Sequence, residues 1–318
     1  MIKYSIKRIF SLIPVIFAIS LVLFGLTKLM PGDQVAMMIP PNTRPDRYQE
    51  VYQQIEQNLG LDKPVPVQYA VWMKNMATGD MGYSTVYNRP VNTVIANPLR
   101  NTVILNFFVL LFSLTISILA GIHSAIKRGS LIDQFWQIFS LVGMSVPSFF
   151  IALCLIFVFS FTLKWLPSGG MPTQNENFFE WVRYLALPVI TLTVVSLAST
   201  IRYVRNAMLD VLSQDYIRTA RSKGLSEKVV IYSHAFRNAL IPVVTIVIAQ
   251  IGGLFSGSMI TEQVFSWDGL GKVLVTALNR RDSMLVISLN MFYVIIYLAS
   301  NFLCDITYAM VDPRIKLD

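Results

Sequence analysis

Apolar and polar residues along this chain are sorted into long blocks. Six runs contain no Asp, Glu, Lys or Arg: 9–27, 101–126, 134–163, 184–201, 238–261 and 283–304. At 1.5 Å per residue, each is long enough for a helix to cross a hydrocarbon core about 30 Å thick. Lipid offers no water to unpaired backbone groups, and the alternation of a membrane barrel is absent, so the runs predict helices. The expected fold is an all-α integral membrane protein with six transmembrane helices. Pro14, Pro147, Pro188 and Pro242 lie within or at the edges of these runs, where a proline frees a carbonyl and bends its helix. In the fifth run Gly252, Gly253 and Gly257, with Ser256 and Ser258, are small enough to bring helices close together.

Between the first two runs the pattern changes from blocks to helical spacing. Tyr48, Val51, Ile55 and Leu59 recur on one helix face until Gly60 stops them, and Val65, Tyr69, Trp72 and Met76 repeat the spacing after Pro64. This predicts a helical insertion on the outer side, acting either as an amphipathic lid on the membrane helices or as a docking surface for an outside partner. "GDMGYS" (79–84) then reads as a tight turn. The expected organisation is an N-terminus and first membrane helix at 1–30, an extracytoplasmic helical segment at 31–100, and a five-helix core at 101–318. A polar loop at 205–237 interrupts that core.

Composition agrees with the blocks: 54% of the residues are hydrophobic and only 14% charged, against roughly 25% charged in soluble domains. If the loops alternate sides, 14 Lys and Arg fall on the side of both termini and 12 on the other. Because 11 of the 18 acids fall on that second side, the two carry net +7 and +1. Positive charge favours the inside, so both termini are expected in the cytoplasm. The overall +8 then reflects topology and contact with anionic lipid, with no need for nucleic acid. Lys3, Lys7 and Arg8 precede the first run like the start of a signal peptide, but no small-x-small cleavage site follows, so the helix is expected to be retained. Cys154 and Cys304 lie inside apolar runs and read as packing residues; His123 and His234 have no nearby ligand partners, and no metal site is expected.

No energy source for work is visible in the chain. Ion-coupled transporters keep ionisable groups in the membrane, and the six runs contain none; Asp305, just beyond the sixth, reads as solvated. Carbonyl-lined sodium sites keep an ion-coupled secondary transporter as the alternative. No G-x-x-x-x-G-K-[ST] occurs, and "DGLGK" (268–272) is only a faint echo of one. Work done by this protein must therefore be powered through a partner. The basic stretch "YIRTARSKGLSEKVVIYSHAFRNALIP" (216–242) is the place for one. Residues 215–222 form a short helix, Gly224 supplies the break, and Ser226 caps a second helix beginning at Glu227. Val229, Tyr232 or Ser233, and Phe236 give that second helix an apolar side suited to a groove in another protein.

Here the sequence resembles the permease subunits of ABC importers, specifically the first permease of the oligopeptide, dipeptide and nickel group. "YIRTARSKGLSEKVV", "HAFRNALIPVV", "LMPGDQ" (29–34), "GDMGYS", "SVPSFFIALCLIFVF" (145–159) and "DITYAMVDPRI" (305–315) are similar to that group in order along the chain. Such permeases carry an E-A-A, three residues, G pattern in the loop that docks the ATPase. Arg218, Thr219 and Ala220 stand at the E-A-A positions and Gly224 at the glycine, so only Ala220 and Gly224 match the broad form. His234 and Arg237 stand where many families have Ile and Pro, and Gln34 replaces a common proline. The resemblance implies a non-catalytic subunit of a bacterial or archaeal cell membrane. It would work with a second permease, two cytoplasmic ATPases that bind ATP and Mg²⁺, an outside substrate-binding protein and, as the substrate it implies, a peptide. It also implies docking through Arg218, Thr219, Ala220, Arg221, Gly224, Leu225, Ser226 and Glu227.

Overall fold

Four of the charge-free runs lie within single helices long and apolar enough to cross a membrane, over Ile6–Leu29, Val91–Ile126, Phe178–Leu212 and Ser283–Thr307. The computed structural model describes residues 2–29, 33–40, 42–172 and 177–311. In chain order the helices are α1 (Ile2–Leu29), α2 (Gln34–Met38), α3 (Tyr48–Asn58), α4 (Val65–Ala77), α5 (Val91–Ile126), α6 (Leu131–Ser145), α7 (Ser148–Leu155) and α8 (Phe178–Leu212). They continue with α9 (Asp215–Ser222), α10 (Glu227–Val229), α11 (Arg237–Gly253), α12 (Met259–Val264), α13 (Leu270–Asn279) and α14 (Ser283–Val311). Wider π-helical turns extend α7 over Ile156–Thr162 and join α10 to α11 over Val230–Phe236. The strands among the described residues form one hairpin, β1 (Tyr83–Ser84) antiparallel to β2 (Arg89–Pro90).

The run at 134–163 is not one straight span. Leu131–Ser145 and Ser148–Thr162 meet at 105°, because Val146 turns extended, as a residue before proline does, and Pro147 opens the next helix. The run at 238–261 is broken too: α11 stops at Gly253 and α12 begins at Met259. Carbonyls freed at that break are satisfied from another helix, where the Asn106 amide lies within 3.3 Å of Gly253 O, 3.1 Å of Leu254 O and 2.9 Å of Ser256 O. Pro14 and Pro188 sit inside continuous helices, and the Pro242 side chain lies outside the described residues, as do the 312–315 end of "DITYAMVDPRI" and 30–32 of "LMPGDQ".

Small residues set the crossings. A Cβ on Gly121 of α5 would stand 2.7 Å from Val204 of α8, one on Gly143 of α6 2.9 Å from Ala198, and one on Gly252 of α11 2.6 Å from Ser300 of α14. Gly257 is pressed against the backbone of Gly271, whereas Gly253 faces open space. Arg8 of α1 pairs with Asp305 of α14 at 2.7 Å, so Asp305 is an inter-helix contact rather than a solvated end.

Within the 31–100 segment, α3 and α4 occupy the two stretches with helical spacing, and Gly60 turns the chain at φ +66°. Trp72 of α4 is buried against Ile287 and Met291 of α14, with its ring tilted 35° to that of Phe24 of α1 at 5.8 Å. Tyr69 shares a 2.7 Å hydrogen bond with Ser20. Tyr69, Trp72 and Met76 of the apolar face of α4 therefore pack on the protein's own helices, while Val65 at its start stays exposed.

Candidate functional site

The 205–237 segment forms a bump at the end of the bundle where α5 and α8 finish. α9 spans Asp215–Ser222, and its amphipathic spacing sets Ile217 and Ala220 inward. Both are buried against Ile122 of α5, Val204 and Met208 of α8, and Val230 and Ala239 beyond the turn. Gly224 makes that turn at φ +75°, a left-handed conformation that a side chain disfavours. No atom lies within 4 Å of the place where its Cβ would sit, so space is not what keeps a side chain out.

Of the eight loop residues singled out, Arg218, Thr219, Arg221, Gly224, Leu225, Ser226 and Glu227 are exposed, and Ala220 is buried. Arg221 brackets the turn by gripping Glu227, Nη2 to Oε1 at 2.7 Å and Nε to Oε2 at 3.3 Å. That guanidinium holds the Glu227 carboxyl below its ordinary range. Ser226 stands at the start of α10 without a side-chain cap. The second helix winds through the π-helical turns into α11, and this wider winding directs Val230, Ile231 and Ala235 to the core. Val229 and Tyr232 stay exposed, and Phe236 is partly buried. Exposed Tyr216, Leu225, Val229 and Tyr232 thus lie among the basic side chains of one surface.

Three buried carboxylates escaped the sequence reading. Asp133 receives Arg205 Nε at 2.7 Å and Nη2 at 2.9 Å, Ser124 Oγ at 2.5 Å and Gly129 N at 2.9 Å, joining α5, α6 and α8. Its signal was Ser130-x-x-Asp133 ahead of an apolar run, the pattern of a helix start. At the other end of the bundle, Glu262 accepts from Thr102 Oγ1 at 3.0 Å, Ser258 N at 3.3 Å and Lys272 N at 3.1 Å. "DGLGK" is therefore wrapped round an internal carboxylate instead of a phosphate. Asp282 likewise accepts from Ser84 Oγ at 2.5 Å, Val86 N at 3.1 Å and Leu285 N at 3.1 Å, so "GDMGYS" is more than a turn: it anchors the insertion to α14. Among the described residues, no group of His, Cys, Asp and Glu is placed to hold a metal ion.

Membrane-length helices with a basic helix-glycine-helix bump rooted in their core define a multi-pass membrane protein. Residues 113–317 match the binding-protein-dependent transport system inner membrane component, and residues 1–106 match the N-terminal membrane component of such systems. The chain belongs to this family. It is 39% identical to the oligopeptide transport system permease protein AppB of Bacillus subtilis (strain 168), over 99% of this chain and 100% of that protein. It is 37% identical to the di/tripeptide transport system permease protein DppB of Pseudomonas aeruginosa (strain UCBPP-PA14), over 99% of each. Among solved structures, an inward-facing MetNI methionine ABC transporter aligns with a TM-score of 0.56 at 17% identity, over 69% of this chain and 96% of that one. At that identity the likeness is one of fold.

Proposed function

We propose that the chain is the first permease of an ATP-driven peptide importer, forming half of the translocation pathway and coupling it to ATPases in the cytoplasm. In this reading it spans the membrane six times, with 134–163 as a bent third span and 238–261 as a broken fifth. The termini and the 205–237 bump are cytoplasmic, and 31–100 lies outside. The partners are a similar second permease, two ATPases that bind ATP and Mg²⁺, and a substrate-binding protein. Peptide as the substrate rests on full-length relatives named for oligopeptides and di/tripeptides.

One observation carries the coupling. α9 is exposed on one face and shares its other face with α5, α8 and α11, so a push on the bump moves helices of the bundle rather than a loose loop. Closing of the ATPases on ATP would shift these packed helices as bodies and switch the opening of the pathway. The inward-packed α4 favours a lid over a docking surface for the 31–100 segment.

Gly224→Glu tests the reading. A side chain there adopts a strained φ and stands between the docked surfaces, while the empty surroundings let the chain fold and insert. Purification of the tagged chain from its native membrane should yield a second permease and two ATPases. The variant should lose the ATPases and all ATP-dependent peptide uptake. Wild-type uptake by a correctly inserted variant overturns the docking assignment, and recovery of the wild-type chain alone overturns the importer.

A further inference from the structure

The cleft between α6 and α8 has chemistry that none of the ties above uses. These helices meet at two levels: Gly143 rests on Ala198, and Asp133 grips Arg205. The levels are about 15 Å apart along α6. Between them the helices part around a cleft of about 340 Å³. Ser140 lies in its floor, 2% exposed, and its hydroxyl has no hydrogen-bond partner among the described residues. Serines inside helices ordinarily bond the carbonyl one turn back, so an unpartnered one lining a cleft keeps a donor free for a guest. Arg202 and Asn206 of α8 and Gln137 of α6 stand exposed at the rim. Arg202 directly follows the charge-free run 184–201, yet makes no ion pair or hydrogen bond among the described residues. A guanidinium at the edge of a membrane span is favoured by an anion within reach.

The other wall is apolar. Ile138 and Leu141 are 61% and 62% exposed along the same face of α6, and Trp136 lines the cleft beside them. Tryptophan concentrates at the depth where headgroups meet acyl chains. The Arg202 cation and the Asn206 amide on α8, aliphatic surface on α6 and an unpaired hydroxyl between them match an amphiphile with an anionic head.

We infer that this cleft binds an anionic phospholipid. Its phosphate accepts from Arg202, Asn206 and the Ser140 hydroxyl, and its chains run along Ile138 and Leu141. Arg205 is committed to Asp133 and serves as the wall behind the headgroup. The inference requires that the chain sits in a bilayer with this face of α6 open to lipid, so it stands or falls separately from the transported substrate and the docking loop.

The complex, reconstituted in nanodiscs of phosphatidylcholine alone or of an equal mixture with phosphatidylglycerol, provides the test, with retained phospholipids identified by native mass spectrometry. Wild type from the mixture should retain phosphatidylglycerol in preference to phosphatidylcholine. Arg202→Gln should weaken that retention about fivefold, the effect of one cation near an anionic surface, and Ser140→Ala should weaken it further in combination. Both variants should keep the wild-type melting temperature in pure phosphatidylcholine, which separates loss of the lipid from loss of the fold. Undiminished retention of phosphatidylglycerol by the double variant overturns the inference. So does stabilisation by inorganic phosphate in pure phosphatidylcholine discs equal to that by phosphatidylglycerol, which would make this a free-anion site. Capture of a cross-linker at Gln137 by the second permease in every lipid composition would assign the cleft to protein and also overturn it.

Discussion

The two ends of the bundle bury their carboxylates in different company. Beside the basic bump, Asp133 is met by the Arg205 guanidinium, and the pair is formally neutral. At the opposite end Glu262 and Asp282 are met by hydroxyls and backbone N–H groups, with no cation within 4 Å among the described residues. One end is tied chiefly by side chains, Arg205 and Ser124, with the Gly129 N–H as the backbone donor beside them. The other is tied by the course of the chain itself, since the N–H of Lys272 and of Val86 point at a carboxylate only while their loops keep one shape. The end beside the bump therefore holds a joint that substitution can change, and the far end one that it cannot.

The largest effect that sharpens this contrast is at the joint. Arg205→Ala leaves Asp133 buried and uncompensated, which costs about 3–5 kcal/mol, and should lower the unfolding midpoint in detergent accordingly. Asp133→Leu combined with Arg205→Met removes both charges and leaves only the Ser124 hydroxyl and the Gly129 N–H without their partner, so it should regain more than half of that loss, because a buried ion pair is often replaceable by apolar groups of similar size. Failure of the double variant to recover would show that the joint is as fixed as the far end, and the contrast would collapse.

Glu262 comes next. Truncation to Ala orphans the Thr102 hydroxyl and two backbone N–H groups, a loss of about 2–4 kcal/mol once water satisfies part of the deficit. No second substitution repairs it, since backbone donors cannot be mutated away. Glu262→Leu with Thr102→Val should therefore stay destabilised, and recovery of wild-type stability by that pair would break the comparison from the other side.

Parts of this arrangement were open to reading in the sequence and parts were not, for reasons that differ by residue. The α9 helix, the turn at Gly224 and the two helices of the insertion are local: spacing and the steric demand of a left-handed φ decide them within a few residues. The bend at Pro147 is local in the same way. The break after Gly253 depends on Asn106, far away in sequence, and apolar patterning has no record of such a partner. The buried carboxylates were hidden by the segmentation itself. Asp133, Glu262 and Asp282 each stand one residue outside a charge-free run, so a division of the chain by charge places them at boundaries, where charged residues read as solvated. The basic face of the bump was readable as an exposed surface, but the inward face of Ile217 and Ala220, the latter among the eight residues singled out, needed the packed bundle to show what the bump is rooted in.

The smallest effect concerns the surface of the bump, where the comparison predicts a tie weaker than either end. Arg221 and Glu227 are both about half exposed, so solvent and salt screen their pair to about 1 kcal/mol or less. Since Arg221 depresses the Glu227 carboxyl below its ordinary range, the contribution is fully present above the unfolded value near pH ~4.3 and fades as pH falls through the lower folded value. The midpoint difference between wild type and Glu227→Gln should therefore be small and steady at neutral pH, shrink in acid, and shrink also in high salt at neutral pH. A difference that persisted unchanged in acid and in salt would mean that Glu227 holds the turn by packing, and that the bump is braced more firmly than its ion pair accounts for.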